Sequence, residues 1–180
     1  QVSDVIVGMQ HHSHLKDNPF GVKLSNLLKH SHYNIFITRF VGSIDRMKRL
    51  VVMMPEKAEY EHGFFLFMQR CHTLCRQMQC NAVIYAHPDT LQHVRQLMHC
   101  FDIKITIELN ELHNWQNVPM LIDSLSPQDM ITFVLSRKNT VSYAPVLDEI
   151  PLMIESHFPD RMVSFFYPEQ TVFVENITTY

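Results

Sequence analysis

Short apolar runs alternate with amphipathic stretches along most of the chain. Asp4 to Gly8 is an apolar run closed by Gly8, and residues 34–38 carry Ile35, Phe36 and Ile37. Runs this short and this rich in β-branched and aromatic residues predict buried strands. Between them Phe20, Leu24, Leu27 and Leu28 recur at helical spacing and predict a helix over 19–29. A mixed polar stretch, 39–48, contains Gly42, Ser43 and Asp45 and marks a boundary.

A fuller cycle follows. Residues 49–54 form a β-branched run closed by Pro55, a predicted strand. Residues 63–79 give the clearest helix, with Phe64, Phe67, Met68, Cys71, Leu74 and Cys75 three and four apart. Residues 82–86 read as a strand. Pro88 opens the next helix, where its missing N–H costs nothing, and Leu91, Val94, Leu97, Met98 and Phe101 point inward. Ile103, Ile105, Ile107 and Leu109 alternate with polar residues, which predicts a half-exposed strand. Residues 115–125 are a short helix and 130–135 a strand. Residues 146–158 form a helix with Pro151 in an early turn, and 162–167 a last strand stopped by Pro168.

This alternation predicts an α/β fold, with an open, parallel five-stranded sheet over 49–170 and helices on both faces. The strands at 49–54 and 130–135 are expected to lie close together in it. A partial β-α-β repeat over 1–40 precedes it through a connector at 41–48 and is expected to pack beside the sheet; a tail, 171–180, follows. Both ends carry an apolar strand, a polar loop (11–18 and 137–143), a helix and a closing strand, the signature of a truncated tandem repeat.

Composition narrows the function classes. The chain has 180 residues, 46% hydrophobic and 11% aromatic, which excludes disorder. A net charge of −3 provides no basic surface for nucleic acid or a membrane. The apolar runs are too short to span a bilayer, and no signal peptide is visible, so a soluble chain is expected. Cys71, Cys75, Cys80 and Cys100 lack the paired knuckles of a zinc site and are expected to be buried reduced thiols.

Candidate chemistry is sparse. His11, His12, His14 and Asp17 could ligate a metal, but twelve histidines are scattered along the chain and no metal is expected. Glu56, Glu59, Glu61 and His62 follow the strand at 49–54 and are expected to form a hydrated acidic loop; a pH-responsive histidine is the sharper reading. Asn176, Ile177 and Thr178 match a glycosylation acceptor, a triplet common by chance. There is no nucleophile elbow, Walker loop or zincin helix, so no catalytic residue is assigned.

Five pieces of the second unit occur in an order that carries a resemblance. They are residues 49–59 (Arg-Leu-Val-Val-Met-Met-Pro-Glu-Lys-Ala-Glu), Gly63-Phe64, residues 129–138 ending in Ser136-Arg137-Lys138, Ser142-Tyr143-Ala144-Pro145, and Tyr167-Pro168-Glu169-Gln170. Together with Gly21, Asn26-Leu27-Leu28 and Ile35 to Arg39, they resemble the C-terminal cytoplasmic region of bacterial sodium or potassium/proton antiporters. In that group a membrane exchanger is followed by two universal-stress-protein-like units. The resemblance implies a non-catalytic regulatory or accessory role on the cytoplasmic side of the inner membrane. The implied partners are a membrane exchanger domain of the same polypeptide and a second copy, as a homodimer; no nucleic acid is implied.

Many universal stress proteins hold ATP on a glycine-rich loop after their fourth strand, where backbone N–H groups approach the phosphates. This chain has four glycines, Gly8, Gly21, Gly42 and Gly63, and none between Ser136 and Tyr143. ATP binding of the familiar kind is therefore not expected, and no cofactor is assigned. The alternative is a stand-alone universal stress protein binding an adenine nucleotide. Arg137, Lys138, Asn139, Thr140 and Ser142 are the candidate anion- or nucleotide-binding residues, set at a strand end before a helix. The plainer reading of that stretch is a solvated turn with capping hydroxyls. The tail from Thr171 is expected to cover an apolar surface or a strand edge.

Overall fold

The structure is a computed structural model that describes residues 4–9, 18–101 and 105–170. Its strands are β1 (Asp4–Gly8), β2 (Asn34–Arg39), β3 (Arg49–Met53), β4 (Asn81–Ala86), β5 (Ile107–Glu111), β6 (Asp129–Val134) and β7 (Val163–Tyr167). Its helices are α1 (Gly21–His30), α2 (Phe64–Met78), α3 (Pro88–Met98), α4 (Val118–Ser124) and α5 (Val146–His157).

The strands form one seven-stranded sheet in the order β1-β2-β7-β6-β3-β4-β5. The five from the second unit are all parallel, and β3 pairs directly with β6, Arg49 opposite Asp129 through Met53 opposite Phe133. That is the adjacency the alternation predicts. β1 and β2 are parallel to each other but meet the other five through an antiparallel ladder, β2 with β7, Phe36 opposite Phe166. β1 and β2 therefore extend the sheet instead of packing against its face.

Side-chain alternation sorts the core into two layers. Leu50, Val52, Ile84, Met130 and Phe166 point to one face, under Phe67 and Met68 of α2 and Leu91 and Val94 of α3. Val51, Met53, Ile131, Phe133 and Phe165 point to the other, under Leu24 of α1, Ile122 of α4 and Ile150 and Ile154 of α5. Every residue of β6 is buried, as expected of a parallel strand covered on both faces, whereas β1 and β5 at the edges are only half-buried.

Two elements differ from expectation. Of the strand expected over 103–109, residues 103 and 104 lie outside the described residues, and the described strand runs over Ile107–Glu111, its ladder set by β4, Ala82 opposite Ile107 and Ala86 opposite Glu111. The helix expected over 115–125 begins as a 3-10 turn at Trp115–Asn117, where Asn114 Oδ1 accepts the Gln116 N–H at 2.9 Å, and becomes α-helical only at Val118. The tail, 171–180, lies outside the described residues, as do the histidines of 11–14 and Asp17.

Candidate functional site

From β3 the chain winds one way across the sheet to β4 and β5, and from β6 the other way to β7. The carboxyl ends of β3 and β6 thus flank a point where the winding reverses, the usual ligand position in open α/β sheets. A crevice of about 200 Å³ lies there, with Glu56, Lys57, His87, Trp115, Ser142 and Tyr143 among its walls. Each flanking loop contains a non-glycine residue in the left-handed region, Lys57 at φ 68° and Asn139 at φ 69°. Asparagine tolerates that geometry; lysine adopts it less readily.

The loop after β3 is a hydrated acidic loop only in part: Glu56 and His62 are exposed, whereas Glu59 and Glu61 are engaged by other elements. The Glu59 carboxylate is buried, its side chain 4% exposed. It accepts the Thr90 hydroxyl of α3 at 2.7 Å, with His93 Nδ1 3.6 Å from its other oxygen. Glu61 reaches across to the opposite loop, where its Oε1 accepts the Ser142 N–H at 3.0 Å and also the Ser142 hydroxyl. Glu59 and Glu61 fold inward because polar donors, Thr90 and Ser142, wait there. Charge alone, read along the sequence, suggests solvent.

The five nominated residues of the β6–α5 loop separate in space. Ser142 is 3% exposed and faces Glu61. Thr140 turns back and donates to the Arg137 carbonyl at 2.9 Å. Lys138 and Asn139 are exposed. Arg137 is buried and donates, at 2.7 Å each, to the carbonyls of Ser31 and Tyr33 in the α1–β2 loop. Burial pushes its guanidinium pKa down, and the nearby charges of Tyr167 and Glu61 oppose that shift; arginine remains cationic at neutral pH. Among the described residues its Nε has no hydrogen-bond partner. The nominated set is therefore not one converging site: Ser142 belongs to the crevice, and Arg137 ties the two units together.

That tie has company. Asn34 Oδ1 accepts the Glu169 N–H at 2.8 Å, and its Nδ2 donates to Asp4 at 3.2 Å. Gly63, at the start of α2, lets this carboxamide pass: a Cβ there would lie 2.2 Å from Asn34 Oδ1. At the opposite end of the β2–β7 ladder Arg39 is paired with Glu155 and donates to the carbonyls of Phe158 and Arg161. A wider crevice, about 700 Å³, opens beside the Arg137 end, lined by His30, His32, Tyr33, His62 and Glu169 among others. Sequence reasoning left Arg39, Asn34 and Glu155 without a role. The available signal was Gly63, one of only four glycines and placed at a helix start.

The thiols divide unevenly. Cys75 and Cys80 are buried and Cys71 nearly so, with burial pushing the Cys71 thiol up to about 12 and raising Cys75 as well. Cys100 is exposed, contrary to expectation, because it falls just past the end of α3 on the solvent side. Among the described residues no group of histidine, cysteine and acidic side chains is placed to hold a metal, and no helix is long and apolar enough to cross a membrane. Compared with protein-family models and with curated proteins, the chain matches none.

Proposed function

We propose that this chain is a universal-stress-protein-like module serving as a non-catalytic regulatory or accessory domain of a sodium or potassium/proton antiporter, on the cytoplasmic side of the membrane. The observation that carries this reading is the join at β2–β7. A five-stranded parallel unit meets the closing β-α-β of a like unit, last strand against last strand, as two tandem copies paired about a local two-fold would. The ordered residues that resemble the antiporter tail support the same assignment: residues 49–59 supply β3 and its loop, 129–138 supply β6, and Ser142 to Pro145 lead into α5. The transport site would then lie in a membrane exchanger domain of the same polypeptide, and two copies would sit together as a homodimer.

The glycine-free loop after β6, with Glu61 already on Ser142, supports a module that does not use ATP. Isothermal titration with ATP and magnesium should show no binding. Micromolar affinity lost on Arg137→Ala or Lys138→Ala would favour the stand-alone nucleotide-binding protein instead. The regulatory reading is tested by proton flux in everted vesicles carrying the complete gene product, with and without these residues. Removal should leave exchange intact and shift its dependence on pH or ion concentration. A gene product lacking a membrane exchanger, or flux that ignores the deletion, would contradict it.

A further inference from the structure

Two donors, both from Ser142 in the wall of the crevice between β3 and β6, meet on the Glu61 carboxylate. Ser142 gives Glu61 Oε1 both its backbone N–H, at 3.0 Å, and its hydroxyl proton. The Ser136 hydroxyl is 2.6 Å from Ser142 Oγ. Since the Ser142 proton is committed to Glu61, Ser136 donates to Ser142, and the two hydroxyls form a relay ending on the carboxylate. Both serines are 3% exposed, so neither is satisfied by bulk water. The buried Arg137 guanidinium adds positive potential, and the charge of Glu61 in turn favours its ionised form. Glu61 arrives from a loop 81 residues earlier in the chain.

This is the wiring of an oxyanion seat, and its occupant is part of the chain. Backbone N–H groups and hydroxyls before a helix hold anions by directed hydrogen bonds and local dipoles. A tethered carboxylate holds such a seat at high effective concentration. An incoming phosphate would have to expel it, or lie against it charge to charge.

We propose that Glu61 is the resident anion of the loop after β6: it fills the oxyanion position of the 136–142 loop beside the crevice, bars phosphate-bearing ligands, and on removal leaves a latent site for a small oxyanion. The inference concerns this chain alone and stands whether or not the chain serves an exchanger. It also explains why the loop dispenses with glycine. A loop that closes on its own side chain has no need to bring bare backbone against a ligand.

The test titrates inorganic phosphate, at constant ionic strength with chloride as the balancing anion, into the whole chain and its Glu61→Ala and Glu61→Gln variants. The Ser142 backbone amide resonance and the thermal midpoint are followed. In the unmodified protein neither should respond. In Glu61→Ala the Ser142 resonance should shift saturably and the midpoint should rise, with affinity at least about tenfold above the parent once the opposing charge is gone. Glu61→Gln keeps the size and the acceptor but loses the charge, and should gain affinity by a smaller factor. If Glu61→Ala does not fold, the Gln variant decides. A folded variant whose Ser142 amide ignores phosphate, or a parent that binds phosphate as well as the variants do, would overturn the proposal and leave Glu61 as a structural tie.

Discussion

The two ends of the β2–β7 ladder are built from the same parts and finished differently. At one end Arg39, 3% exposed, reaches from the first unit to the carbonyls of Phe158 and Arg161 in the α5–β7 loop of the second. At the other Arg137, 8% exposed, reaches from the second unit to the carbonyls of Ser31 and Tyr33 in the α1–β2 loop of the first. Each guanidinium clamps the other unit's helix–strand loop. Arg39 has a carboxylate, Glu155, to answer its charge. Among the described residues Arg137 has no bonded acid and its Nε no partner, and a wide crevice opens beside it. Burying a charge is costly unless it is paired and fully hydrogen-bonded. The Arg39 end is therefore the lock of the seam, and the Arg137 end is the side from which it loosens.

The largest expected effect follows from unpairing the lock. Glu155→Ala strands a buried guanidinium and should lower unfolding stability by about 3 kcal/mol in urea titration. Replacing both partners, as Arg39→Met with Glu155→Leu, should recover most of that loss, since apolar replacement of a buried pair is often near neutral. A double variant as unstable as the single would break the comparison at its stronger end.

At the softer end, Gly63→Ala drives a methyl group onto the Asn34 carboxamide and displaces it from the Glu169 N–H. The expected loss is about 2 kcal/mol, from strain plus a buried hydrogen bond. Adding Asn34→Ala should cost little more, because the contact is already spent; additive losses would mean the two residues are not coupled.

Arg137→Met should be milder still, about 1 kcal/mol, because releasing a buried charge that is not bonded to a carboxylate among the described residues offsets the two carbonyls it leaves to crevice water. A loss equal to that of Glu155→Ala would erase the difference between the ends.

The smallest effect concerns reactivity. Burial pushes the Cys71 thiol up to about 12 and leaves it protonated at pH 8, so iodoacetamide should modify the exposed Cys100 first and the interior thiols only on opening. Interior labelling should speed up in Glu155→Ala more than in Arg137→Met.

The fold was legible because its signals are local. Apolar runs such as those of β3 and β6 are short, glycine-poor and β-branched, and parallel strands covered on both faces need that composition. The alternation carries Ile105 into β5, whereas the ladder with β4 begins only at Ala82 opposite Ile107. The site was harder to read. Arg137 and Ser142 sit five residues apart and suggest one anion pocket, yet the backbone turn at Asn139 sends them to different partners. Glu61 meets Ser142 across 81 residues, and Arg39 meets Glu155 across 116; neither pairing leaves a periodic trace in the sequence.

Strands β1 and β2 and the five parallel strands should unfold as one sheet. Native-state hydrogen exchange on the amides of β2 and β7 tests it directly. If the ladder between Phe36 and Phe166 is a core element, these amides should exchange only through global opening, with the same protection as Val51 and Ile131 and the same denaturant dependence. Protection of β2 that collapses in low denaturant while β3 and β6 remain protected would show two separable bodies and would contradict the account.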